Sequence, residues 1–132
     1  MLNILYVEDD APSRNVVRMA QRLNPGTFVL TCFEDSQDFE GRLIDLEPQP
    51  DLILLDIHMK PFSGFEMLKF IRRHPEYDAT PVVALTASVM NEEVEMLQTA
   101  GFHSVLSKPL NLDAFDDMLQ RIMNGEQIWI VW

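Results

Sequence analysis

Short apolar runs alternate with segments of helical periodicity along the whole chain. The runs are nearly continuous in apolar residues, which is typical of strands that are buried on both faces of a sheet. Residues 2–7 (LNILYV) and 52–55 (LILL) are the clearest examples. We therefore predict five strands, at residues 2–7, 27–32, 52–55, 81–85 and 105–106.

Between these runs, apolar residues recur three or four positions apart, as on one face of an α-helix. Stop signals follow several of these segments, among them Asn24-Pro25-Gly26, Gly101 and Asn124-Gly125. The pattern predicts five helices, at residues 11–23, 36–46, 64–74, 92–100 and 112–123.

Strict alternation of strands and helices predicts parallel strand pairing with right-handed crossovers. The expected fold is α/β: a flavodoxin-like (βα)5 protein with a doubly wound parallel five-stranded sheet in the order 2-1-3-4-5. The length of 132 residues suits one domain, which we place at residues 1–125, followed by an apolar C-terminal tail at residues 126–132. Ligands of such sheets bind beyond the carboxyl ends of the strands, here between the first and third strands.

Charge and targeting signals narrow the classes of function. The net charge of -11 disfavours direct binding to nucleic acid or to anionic membranes, so we expect protein partners. The chain has one cysteine, no basic signal region at its start and no apolar stretch as long as a membrane span. These features predict a cytoplasmic protein.

Chemically useful side chains follow the predicted strands at their carboxyl ends. Glu8 and Asp9 follow the first strand, and Asp56 follows the third. Neighbouring parallel strands bring these acids together, and such a cluster repels itself unless it binds a cation. Oxygen ligands suit a hard ion, so we predict a Mg²⁺ site held by these three carboxylates. Asp10 is predicted to cap the helix that follows.

Thr86 follows the fourth strand and Lys108 the fifth. An acidic cleft with a cation, a hydroxyl and a lysine suits in-line phosphoryl transfer to a carboxylate. Asp56 is the candidate nucleophile and phosphate acceptor, because it ends the central strand. Thr86 and Lys108 are the groups that would contact the phosphoryl oxygens.

These residues resemble the response-regulator receiver domains of two-component systems, of which the stand-alone chemotaxis regulator is an example. The resemblance covers residues 2 to about 124 and implies phosphorylation of Asp56 by a partner histidine kinase, Mg²⁺ as cofactor, and no enzymatic activity beyond the domain's own phosphorylation and dephosphorylation. The motifs that carry it occur in the order of the family: ILYVEDD, PDLILLD, the glycine of HMKPFSG, PVVALTA and LSKP.

The resemblance also assigns individual roles. Glu8, Asp9 and Asp56 become the metal acids, with the backbone carbonyl of His58 as a further ligand. Thr86 becomes the switch hydroxyl and Lys108 the phosphate-sensing lysine, and the Lys108–Pro109 bond is expected to be cis. At the position three before the lysine, where the family commonly has Tyr or Phe, this chain has Val105. A small aliphatic side chain cannot swing a ring, so we expect the output surface to change through loop and helix shifts.

Two functions within the family fit the residues. The chain is either a phosphorylation-controlled switch for a downstream protein or a phosphorelay intermediate that passes phosphate to a histidine phosphotransfer protein. A haloacid-dehalogenase-like phosphatase is disfavoured, because that mechanism needs an acid where this chain has His58. A flavodoxin is disfavoured because Glu8 and Asp9 would repel the flavin phosphate.

The tail, residues 127–132 (QIWIVW), is mostly apolar and contains Trp129 and Trp132. Such a segment either folds back on its own domain or docks a partner or a second copy, which would give a homodimer. The sequence leaves both alternatives open.

Overall fold

The structure, a computed structural model, describes residues 1–129 and contains one parallel sheet with helices on both faces. The strands are β1 (Leu2–Val7), β2 (Phe28–Phe33), β3 (Leu52–Asp56), β4 (Val82–Thr86) and β5 (Ser104–Ser107). The helices are α1 (Ala11–Leu23), α2 (Phe39–Asp45), α3 (Gly64–Arg72), α4 (Asn91–Ala100) and α5 (Leu112–Met123), with a short 3₁₀ helix at Pro75–Tyr77. None of the helices within residues 1–129 has the length and apolar character that a membrane crossing requires.

The strand order is β2-β1-β3-β4-β5, and all neighbouring strands are parallel. This confirms the predicted flavodoxin-like fold and its reversal of strand order between β1 and β3. The register pairs Val7 with Leu55 and Thr86 with Ser107, so the carboxyl ends of the central strands lie at one edge of the sheet.

The core is divided into two layers by the sheet. Buried residues of α2, α3 and α4 pack on one face, and those of α1 and α5 pack on the other. All five residues of β3 and all five of β4 are buried, which is why these strands read as unbroken apolar runs.

The helix bounds follow local capping chemistry. Asp10 caps α1 as predicted, since its carboxylate accepts from the backbone amide of Ser13 at 3.0 Å. Ser63 and Glu66 form a capping box at the start of α3. Gly101 ends α4 with φ of 105°, a backbone conformation that favours glycine.

Helix α2 is shorter than predicted, because Ser36 lies outside it. The prediction placed this helix at residues 36–46, whereas it spans Phe39–Asp45. Ser36 is fully buried, and its hydroxyl accepts from the backbone amide of Phe62 at 2.7 Å. A contact with a residue distant in the chain therefore takes Ser36 out of the helix and ties it to the loop between β3 and α3.

The described part of the tail lies against the free edge of β5. The amide of Val105 donates to the carbonyl of Ile128 at 2.8 Å, and the amide of Ile128 donates to Ser104 Oγ at 2.9 Å. Ile128 packs with the core on the α1 and α5 face, whereas Trp129 packs on the opposite face and forms a parallel bridge with Val105. Ile128 and Trp129 therefore fold back on their own domain, which is one of the two alternatives for the tail. Residues 130–132 lie outside the described residues.

Candidate functional site

The predicted acids converge at the carboxyl edge of the sheet. Glu8 and Asp56 lie one residue beyond the paired Val7 and Leu55, so the register of β1 and β3 sets them side by side. One carboxylate oxygen from each of Glu8, Asp9 and Asp56 lies within 4.8 Å of the other two. Glu8 and Asp56 are buried and Asp9 is exposed, which leaves the cluster open to solvent on one side.

Lys108 joins this cluster from β5. Its Nζ lies 2.9 Å from Glu8 Oε1 and 3.5 Å from Asp56 Oδ2. The backbone amide of Lys108 donates to the carbonyl of Thr86 at 2.9 Å, which fixes the lysine beside β4. Burial by itself lowers the pKa of Lys108, but attraction to Glu8 and Asp56 outweighs it and leaves that pKa above its usual value. The lysine is therefore cationic at neutral pH.

The carboxyl group of Glu8 is buried beside that of Asp56. Burial raises the pKa of Glu8 to about 7, and the nearby Asp56 carboxylate adds to this rise while Lys108 opposes it. The Tyr6 hydroxyl donates to Glu8 Oε1 at 2.9 Å. Three carboxylates face one ammonium group, so a divalent cation would complete the charge balance of the cleft.

His58 contributes its backbone to the site. Its amide donates to Asp56 Oδ1 at 3.1 Å, whereas its imidazole is largely exposed. The carbonyl of His58 stays a predicted ligand. The loop that carries it is closed by Gly64, whose amide donates to the carbonyl of Ile57 at 3.0 Å. A Cβ atom on Gly64 would lie 2.9 Å from Ile57 Cα, so glycine is required here for close approach.

Thr86 stands at the predicted strand end, and its hydroxyl makes hydrogen bonds with Ser88 and Glu93. It accepts from the amide of Ser88 at 3.1 Å. Its two hydrogen-bond acceptors are the carbonyl of Ser88 and Glu93 Oε1, each at 3.3 Å. The structure thus brings Glu8, Asp9, Asp56 and Lys108 into direct proximity and places Thr86 beside them with a different set of partners.

Three residues of the site were missed by the sequence analysis. The sequence pattern treated Tyr6 as one more apolar residue of β1. Residues two apart in a strand point to the same face, so the spacing of Tyr6 and Glu8 could have indicated their hydrogen bond. Arg14 is buried, and its guanidinium donates to the carbonyl of Glu8 at 2.8 Å. Glu93 is seven residues from Thr86, and no local pattern connects the two.

The fold and the site together define a class: an α/β protein with a cleft of three acids and one lysine where the strand order reverses. A family model described as "Response regulator receiver domain" matches residues 4–120. The chain therefore belongs to the response regulator receiver domain family, whose members are signalling modules of two-component systems. The predicted Lys108–Pro109 cis bond is also present.

Two relatives and one solved structure show the range of proteins to which the chain is similar. The aerobic respiration control sensor protein ArcB of Escherichia coli (strain K12) is 40% identical over 77 residues, which are 58% of this chain and 10% of ArcB. The polar-differentiation response regulator DivK of Brucella anthropi is 34% identical over 74 residues, 56% of this chain and 60% of DivK. The chain thus spans less than two thirds of either relative.

The structural relative is the receiver domain of the sensor histidine kinase PA1611 from Pseudomonas aeruginosa PAO1, solved with a magnesium ion coordinated in its active site cleft. It superposes with a TM-score of 0.78 at 24% identity, covering 93% of this chain and 98% of that chain. At this identity the likeness confirms the fold. Receiver domains as a family interact with histidine kinases and with downstream targets.

Proposed function

We propose that the chain is a phosphoryl-accepting response regulator in which Asp56 takes phosphate from a partner histidine kinase and thereby switches a protein–protein interaction surface. The observation that carries this proposal is the convergence of Glu8, Asp9, Asp56 and Lys108 in one cleft. The net charge of -11 supports a protein as the output partner, without direct contact to nucleic acid or membrane, and the proposal includes a cytoplasmic location.

In the proposed reaction, a carboxylate oxygen of Asp56 attacks the phosphorus of the kinase's phosphohistidine. A P–O bond forms, the P–N bond breaks, and its electron pair returns to the imidazole nitrogen. Lys108 faces Asp56 Oδ2 and would pair with a transferred oxygen, while the hydroxyl of Thr86 would donate to another. The His58 amide already orients the Asp56 carboxylate through Oδ1.

Mg²⁺ fits this site because its donors are carboxylates, and their combined negative charge is larger than the positive charge of Lys108. Glu8, Asp9 and Asp56 would hold the ion together with the carbonyl of His58. When bound, the ion neutralises charge on the phosphoryl oxygens. The magnesium in the receiver domain of PA1611 supports this assignment.

A phosphorelay intermediate is the second candidate. ArcB is described as a sensor protein, and the PA1611 receiver belongs to a sensor histidine kinase, so receivers similar to this one occur within sensors. In this case the phosphoryl group would pass from Asp56 to a histidine of a phosphotransfer protein. Rapid loss of phosphate to an added phosphotransfer protein, without a change of binding surface, would favour this candidate over the switch.

The test of the proposed function is phosphorylation by a small phosphodonor. Wild-type protein incubated with acetyl phosphate and Mg²⁺ should gain the mass of one phosphoryl group, and chelation of the metal should abolish the gain. Asp56→Asn should gain nothing. Asp51→Asn is the matched control, because Asp51 directly precedes the same strand at its opposite end, and it should behave as wild type. Unmodified wild-type protein would reject the proposal.

A further inference from the structure

The hydroxyl of Thr86 can donate only one hydrogen bond, because it carries one proton. In this structure its nearby acceptors are Glu93 Oε1 and the carbonyl of Ser88. Both acceptors lie 3.3 Å from the hydroxyl oxygen, and the carboxylate is favoured of the two because a negatively charged oxygen attracts the proton more strongly than a neutral carbonyl does. While Thr86 donates to Glu93, its proton cannot serve a phosphoryl oxygen on Asp56.

Glu93 stands where it can connect three parts of the site. It lies in the first turn of α4 and reaches Thr86 at the end of β4. The same oxygen, Oε1, lies 3.7 Å from Nε2 of His58, on the loop that follows Asp56. The side chain of Glu93 is 25% exposed, so these contacts are only partly screened by water.

We propose that Glu93 is a positioning residue that accepts the proton of the Thr86 hydroxyl and so competes for it with a phosphoryl group on Asp56. This inference rests on the proposed function and adds a residue that regulates the same site. Phosphorylation must break the Thr86–Glu93 hydrogen bond, which also releases the first turn of α4 from β4. That helix has Met90 at its N-cap position with no side-chain cap, so the hydrogen bond of Glu93 is a side-chain contact that restrains its first turn.

The competition has a measurable size. The Thr86–Glu93 hydrogen bond exists only in the unphosphorylated form and stabilises that form. The apparent affinity for a phosphoryl group is therefore lower by the factor that corresponds to this stabilisation. A partly exposed hydrogen bond to a carboxylate corresponds to about a three- to tenfold change in an equilibrium constant. Removing the acceptor should therefore strengthen phosphoryl binding by about this factor.

The experiment measures the affinity of the whole chain for beryllofluoride, a stable phosphoryl mimic, in the presence of Mg²⁺. Glu93→Ala should bind about three- to tenfold more tightly than wild type. Glu93→Gln keeps a neutral oxygen acceptor and should fall between the two. Glu92→Ala is the matched control, because Glu92 is an exposed acid of the same helical turn and its loss changes the charge equally. It should bind as wild type does.

A double-mutant cycle distinguishes competition for the hydroxyl from a general structural effect. In a Thr86→Ala background no proton is available, so Glu93→Ala should no longer change the affinity. Equal affinities of Glu93→Ala and Glu92→Ala, or an undiminished effect of Glu93→Ala without the threonine hydroxyl, would overturn the inference alone. Failure of wild-type protein to bind beryllofluoride would instead overturn the proposed function and this inference together.

Discussion

Replacing Ile128 by alanine should measure how far the tail belongs to the folded domain. Ile128 is 2% exposed and lies in the core on the α1 and α5 face. The substitution keeps the backbone hydrogen bonds to Val105 and Ser104 and removes only buried carbon. It therefore isolates the contribution of apolar packing from that of edge-strand pairing.

The expected magnitude follows from the buried groups that are lost. Three carbons at about 0.8 kcal/mol each, plus an incomplete cavity term, amount to a loss of about 3 kcal/mol in the free energy of unfolding. For a chain of 132 residues this lowers the melting temperature by about 10 °C. In urea, with an m-value of about 2 kcal/mol/M, the midpoint should fall by about 1.5 M.

The assay is urea unfolding followed by circular dichroism at two protein concentrations. Gln127→Ala is the control, because its side chain is exposed, and it should change the free energy of unfolding by less than about 0.5 kcal/mol. Both tryptophans of the chain lie in the tail, at positions 129 and 132, so their fluorescence reports the tail directly. A midpoint for Ile128→Ala equal to that of the control would refute the reasoning. If Ile128→Ala lowers the midpoint only at the higher protein concentration, and wild-type protein has the mass of a dimer there, the tail packs against a second copy instead.

Two further predictions concern the loop after Asp56 and the pairing of α2 with α3. Gly64→Ala places a Cβ atom 2.9 Å from Ile57 Cα and 3.2 Å from the carbonyl oxygen of Asp56. The free energy of unfolding, measured in urea, should therefore fall by about 1–3 kcal/mol, and phosphorylation by acetyl phosphate should become slower. An unchanged free energy of unfolding together with an unchanged phosphorylation rate would contradict the close approach. The carboxylate of Glu40 accepts hydrogen bonds from His74 and Arg73. These bonds hold the pKa of Glu40 below its usual value, and the bond from His74 has the larger effect. Because the pKa of Glu40 is lower in the folded state than in the unfolded state, where it is about 4.3, the ionised carboxylate stabilises the folded protein at pH values above about 4.3. This contribution is lost as the pH falls through the pKa of the folded state. Unfolding at a series of acidic pH values should therefore show a shallower loss for Glu40→Gln than for wild type, with the exposed Glu95→Gln as control; parallel curves for Glu40→Gln and wild type would argue against this linkage.

The sequence by itself determined the alternation of elements and the residues at the strand ends. β1, α1 and α5 have the predicted bounds, and the other elements differ mostly at their ends. This success has a local cause, because periodicity and stop signals are properties of short segments. Once the strands are parallel, their carboxyl ends must share one edge, and the expected doubly wound strand order, which makes β1 and β3 neighbours, then brings Glu8 and Asp56 together.

Only the tertiary structure decided how those side chains are oriented and what supports them. Ser36 lies outside α2 and accepts from the amide of Phe62, and the Thr86 hydroxyl lies 3.3 Å from both the carbonyl of Ser88 and Glu93 Oε1. The tail pairs with Val105 at the open edge of the sheet, a choice that the apolar sequence left undecided. The physical reason is shared: each depends on a hydrogen bond whose partner is set by packing between separate elements, and a one-dimensional pattern carries no information about which donor meets which acceptor.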